Sequence, residues 1–149
     1  MDKTFELISL HILFGEVYFF GGPIKEKRYT TNLVKAGFTF LDRLPPGQRV
    51  GTAECSLSQA SIHLLALAWF GPYEGKIIRD IFAKHHELKN VIFLSSIGMG
   101  KRFNDGLIRD GATAVLVEPD PPWWHRKDMA RLIRELNGIY KRLERRRNG

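Results

Sequence analysis

Two short apolar runs constrain this fold more than any other part of the chain: NVIFLSS at residues 90–96 and ATAVLVE at residues 112–118. Both carry β-branched residues and are bounded by turn residues, without the polar alternation of a strand that faces water on one side. That pattern predicts strands buried on both faces, as in a parallel sheet. Between them lie IGMG and then a polar stretch, residues 101–109, of helical length that stops at Asp110-Gly111. Strand, helix, strand in that order makes a parallel βαβ unit, because parallel neighbours need a long crossover connection. The expected fold class is therefore α/β: a Rossmann-like three-layer domain with a mostly parallel sheet.

The remaining sequence fits around that unit with differing clarity. The 149 residues suit one domain, with an N-terminal part over 1–47 and a βαβ-type core over 48–149. Residues 8–14 and 17–20 flank Gly15-Glu16. Two strand-like runs about a Gly-X turn predict a β-hairpin, with a helix as the competing reading of such short apolar runs. Residues 29–44 read as a strand pair or as a helix from Thr31, with strand preferred. Residues 45–48 (PPGQ) read as a turn, and 49–55 as a short strand. SLSQ at residues 56–59 has the capping-box pattern, so a helix is expected after Ser56 and as far as Phe70. It would be apolar nearly all round, hence buried on most sides, and ended by Gly71-Pro72. A second helix is expected over 73–88. In the last segment Met129, Leu132, Ile133, Leu136, Ile139, Tyr140 and Leu143 recur at helical spacing, which predicts an amphipathic C-terminal helix.

Charge is distributed unevenly. The net charge is +7, and residues 123–149 hold nine basic and three acidic side chains, which leaves 14 basic against 13 acidic in residues 1–122. The basic character therefore belongs to the last helix, which points to an anionic partner, either nucleic acid or an acidic protein surface. Arg134, Lys141, Arg142, Arg145, Arg146 and Arg147 would carry the charge, and Trp123 and Trp124 could stack on bases. The plain alternative is a solvated helix face whose cations suit a helix C-terminus. Hydrophobic content of 44% with 26% charged residues is that of a globular chain rather than a disordered one. The single cysteine, Cys55, excludes an intrachain disulfide and favours a reducing, cytoplasmic setting. Asp2 and Glu6 around Lys3 do not make a secretory start. The longest apolar run, 62–70, is far short of the roughly 20 residues of a membrane span, so no membrane is expected.

Two stretches could carry chemistry. In SSIGMGK, residues 95–101, Gly98 and Gly100 would let backbone amides approach an anion at a helix start, with Lys101 adding charge. The spacing is not that of a Walker loop. It is not G-x-G-x-x-G either, because Gly106 comes only after Asn104 and Asp105. The plain alternative is a glycine turn from strand to helix. Glu118 and Asp120 stand two apart past a strand end, so in an extended segment they face the same way and could hold Mg²⁺. Here the plain alternative is a proline-stiffened corner with the tryptophans packed over the sheet edge.

A strand followed by acid-x-acid and a helix resembles the second motif of Toprim domains, the metal-dependent folds of primases, topoisomerases and some nucleases. That resemblance, over roughly residues 48–136, implies a Mg²⁺ site completed by Glu54 and catalysis by Glu54, Glu118 and Asp120. Glu118 replaces the usual first aspartate, and Cys55 stands where glycine usually follows the glutamate. DPPW at residues 120–123 resembles the catalytic tetrapeptide of adenine-N6 methyltransferases, without a matching cofactor-binding glycine motif. His85-His86 have no second ligand pair at zinc spacing. His63 reads as a hydrogen-bonded core histidine and Cys55 as an inert buried thiol. His11 and Ser95 join no nucleophilic arrangement. The first-ranked expectation is a non-catalytic module for an anionic partner, nucleic acid foremost, with no cofactor. A Toprim-like Mg²⁺ enzyme ranks next, then a subunit-interaction protein that homo-oligomerises through the stripe of its last helix.

Overall fold

A computed structural model describes residues 4–21, 39–40, 49–52, 60–118 and 126–148. In chain order these form β1 (Thr4–Leu13), β2 (Glu16–Gly21), β3 (Thr39–Phe40), β4 (Arg49–Thr52), β5 (Ile62–Phe70), α1 (Gly75–Lys84), β6 (Ile92–Ser96), α2 (Lys101–Arg109), β7 (Ala114–Glu118) and α3 (Arg126–Asn148). The strands make one seven-stranded sheet in the order β4-β2-β1-β5-β6-β7, with β3 also on β1. β1 pairs in parallel with β3 and β5, and β5-β6 and β6-β7 are parallel as well. β2 runs antiparallel between β1 and β4. The protein is thus an α/β fold with a mostly parallel sheet, as the two apolar runs predict.

The capping-box expectation fails. Residues 62–70 are a central strand, not the second half of a helix. With a parallel neighbour on each edge and helices over both faces, this strand is buried on both sides and loses its period of two. Every residue from Ile62 to Ala66 is buried. A buried helix leaves the same signature in sequence, so periodicity alone cannot separate the two. Residues 56–59 themselves lie outside the described residues, as do 45–48 and all of 29–44 except Thr39–Phe40, which form the short strand β3.

The hairpin forms, with its turn one residue earlier than Gly15-Glu16. Leu13 faces Glu16 across it, and the turn residues are Phe14 and Gly15, at φ +48° and +85°. Positive φ at both positions matches the twist that a tight antiparallel hairpin needs. The hairpin is not an appendage: β1 pairs with β5 in unbroken register from Phe5↔Ile62 to Leu13↔Phe70. The helix expected over 73–88 is shorter, Gly75–Lys84. α2 coincides with its predicted limits.

Alternation along the strands builds two cores. Phe5, Leu7, Ile62, Leu64, Ile92, Leu94 and Leu116 point to one face and meet Leu136, Ile139 and Tyr140 of α3. Ile8, Leu10, Leu65 and Phe93 point to the other and meet Ile78 and Ile81 of α1 and Leu107 of α2. His63 is fully buried on β5, where its Nδ1 accepts the Lys89 backbone N–H at 3.1 Å. It is a satisfied core histidine carried on a strand. Among the described residues no helix is long and apolar enough to cross a membrane.

If β5 is the centre, Leu65→Ala should cost about 2–5 kcal/mol through lost contacts and a residual cavity. Ile108→Ala, at an exposed position on α2, should change stability by less than about 0.5 kcal/mol. Urea unfolding of both variants checks the contrast.

Candidate functional site

α3 is the element in which sequence charge and structure meet most directly. Its buried residues Leu136, Ile139 and Tyr140 fall at helical spacing and fix which side packs on the sheet. Arg134, Lys141 and Arg145 fall at i, i+7 and i+11, on the opposite side, with Arg142 and Arg146 flanking them. All five are exposed. Among the described residues none of the five is engaged by a carboxylate, whereas the cations of α1 and α2 that pair do so with acids of their own layer. Five exposed cations on one helix raise the local positive potential and attract anions. Arg147 belongs to the same helix, but its side chain lies outside the described residues, as do Trp123 and Trp124.

The glycine loop of residues 97–100 joins β6 to α2 through a single 3₁₀ turn, Ile97–Met99. Gly98 and Gly100 are exposed, and Gly100 sits at φ +91°, a conformation that favours glycine. No side chain caps α2, which leaves its first-turn amides without that partner. Lys101 does not stand over those amides as a free charge. Its Nζ donates to Asp105 Oδ2 at 2.6 Å, and this bond and the adjacent negative charge raise the ammonium pKa. Ser95 Oγ and Asn104 Oδ1, on either side of the loop, are buried and have no hydrogen-bond partner among the described residues.

Glu118 ends β7. Its side chain, together with all of Glu54 and Asp120, lies outside the described residues. Among the described residues no group of three or more His, Cys, Asp or Glu side chains could hold a metal ion. Ser9 Oγ and His11 Nε2 are 3.0 Å apart on one side of β1, a pair that the sequence reading passed over. Residues at i and i+2 on a strand share a face, so the contact was open to inference. No carboxylate orients His11 among the described residues, so the acid that would complete a nucleophilic triad is missing from this set.

Sequence reasoning also missed Asp110. Tyr73 Oη donates to Asp110 Oδ2 at 2.6 Å, Arg79 Nη1 to Oδ1 at 2.6 Å and Arg109 Nη2 to Oδ2 at 3.1 Å. The carboxylate thereby ties the start of α1 to the end of α2. Close approach of these elements requires Gly106, where a Cβ would stand 2.7 Å from Tyr73 Cε1. Beside this junction is a cleft of about 490 Å³ whose walls include Arg79, His85, His86 and Asp110. Burial, then the bond and negative charge of Asp110, pushes the Tyr73 hydroxyl above its ordinary range. The Tyr73 hydrogen bond, with the two guanidinium groups, holds Asp110 down at about 2 against an ordinary 3.8. A lowered carboxyl pKa stabilises the fold above the ordinary value, and that contribution is lost as pH falls toward the folded value. The wild type should therefore lose stability between about pH 4 and pH 2 more steeply than Asp110→Asn. Denaturant midpoints measured across that interval test it.

No protein-family model matches this chain, and comparison with curated proteins finds no match.

Proposed function

We propose that the chain is a non-catalytic binding module, a Rossmann-like three-layer domain whose basic C-terminal helix holds an anionic partner, nucleic acid foremost. The observation that carries this reading is the set of exposed cations Arg134, Lys141, Arg142, Arg145 and Arg146 on α3, none of them paired with an acid among the described residues. A salt bridge within the protein would have spent their charge. A phosphate backbone that meets unspent cations gains their attraction and releases its condensed counterions. The packed stripe of the same helix fixes the cations on a rigid element, so they need not be ordered on binding. The single cysteine supports a reducing, cytoplasmic setting for this role.

Fluorescence anisotropy with labelled single- and double-stranded oligonucleotides, titrated across salt, tests the reading. Affinity should fall steeply, with each phosphate contact adding about 0.7 to the logarithmic slope for single strands and about 0.9 for duplex. Arg142→Glu/Arg145→Glu should weaken binding and shallow the slope by roughly two contacts' worth. Undiminished binding by that double variant, or no binding by the wild type at low salt, overturns it.

A further inference from the structure

The five exposed cations of α3 divide between a ridge and a groove. Arg134, Lys141 and Arg145 make the ridge, on the side of the helix opposite its buried stripe. Arg134 and Arg142 also line a groove of about 460 Å³, whose walls do not include Lys141, Arg145 or Arg146. Its floor is Ala114, Val115, Leu116 and Ile139, apolar throughout. Gly138 keeps the groove open: a Cβ there would meet only Arg142 Nη1, at 3.6 Å. The same distance places the Arg142 guanidinium beside the glycine, one helical turn, about 6 Å of rise, from the Arg134 position. Among the described residues no acid pairs with either arginine. Glu135, the acid on the groove wall, is already engaged. The volume is that of a cleft for one small ligand.

We propose that this groove seats one unpaired base of a single-stranded nucleic acid whose phosphates run along the ridge. The inference rests on the nucleic-acid reading of α3 and narrows it to the single strand. An apolar floor offers a phosphate nothing, but it takes the flat face of a base out of water. The arginines serve both parts of a nucleotide, because guanidinium groups hold phosphate oxygens in a bidentate fork and also stack on bases. Arg134 stands on the ridge and in the groove, so a strand that follows the ridge passes the mouth of the seat. A duplex keeps its bases stacked and paired, and would have to flip one out at the cost of that stacking. Single-stranded bases are already free to splay. The aliphatic side chains of the floor do not read base edges, so affinity should depend on the presence of a base more than on its identity.

The probes are two fluorescein-labelled strands of equal length and charge, an oligothymidylate and its fully abasic counterpart. The full chain should bind thymidylate at least about fivefold more tightly than the abasic strand. The two salt slopes should agree, because both strands release the same counterions. Gly138→Leu fills the groove and leaves every cation in place. It should abolish the preference for thymidylate while keeping the abasic affinity and slope. Its unfolding midpoint should be no lower than wild type, because leucine favours helix over glycine. That combination supports the proposal. Equal affinity of the wild type for the two strands, or a preference that survives in Gly138→Leu, overturns it. So does a duplex that loses as much affinity as thymidylate in Gly138→Leu, since the groove would then serve paired strands. In each of these cases salt-dependent binding of the abasic strand leaves the basic-helix reading standing. Binding of neither strand at low salt overturns both.

Discussion

The parallel pairing of β1 with β5 is the interaction on which the rest of this structure depends. It runs without a register shift along the whole of β5, and it buries two apolar strands whose backbone groups would be costly to hide unpaired. Because β5 is covered on both faces, the side chains of β1 and β5 alternate between two cores instead of feeding one. That division decides where the helices go. α1 and α2 close one face, and α3 must close the other.

α3 shows the consequence. Its apolar stripe is narrow, and most of its remaining surface is charged. In a helix of that kind tertiary packing supplies most of the stability. Leu136, Ile139 and Tyr140 lock against Phe5, Ile62 and Leu64, and the same rotation that buries them turns Lys141 and Arg145 outward. Exposure of the cations is thus a geometric result of core packing. What packing does not explain is that, among the described residues, no acid pairs with them, whereas α2 pairs Lys101 with Asp105 one turn away.

Local signals were legible where one physical cause dominated. Gly100 before a polar amphipathic run and Asp110-Gly111 after it marked α2 to the residue. The continuous apolar runs marked β6 and β7, because a strand buried on both faces has little else it can be made of. The same logic misled at β5. There the run is long enough for a helix, and SLSQ before it supplied a helix-start pattern. Tertiary burial decided in favour of the strand. Asp110 was illegible for another reason. Its partners Tyr73 and Arg79 lie 37 and 31 residues away in sequence, and nothing in the spacing of those residues announces that α1 begins where α2 ends. The acidic candidates Glu54, Glu118 and Asp120 fall on or beside stretches whose side chains are not described, so the Toprim resemblance gains nothing from the fold.

Strand order bears on where a ligand belongs. In open α/β sheets the binding crevice opens at the carboxyl ends of strands, where the order of parallel strands reverses and neighbouring crossovers leave on opposite faces. Here β5, β6 and β7 step outward from β1 in one direction, and α1 and α2 share one core. On the other side of β1 the chain turns straight back through Phe14 and Gly15 into antiparallel β2, and parallel β3 lies beside the start of β1. The loop holding Gly98 and Gly100 therefore lies between two strands whose connections leave on the same side, the arrangement least able to open a crevice. The exposed cations of the described fold lie at its other end. There β7 is the last strand of the sheet among the described residues, and Arg134, Gly138 and Arg142 of α3 line a groove with Ala114, Val115 and Leu116.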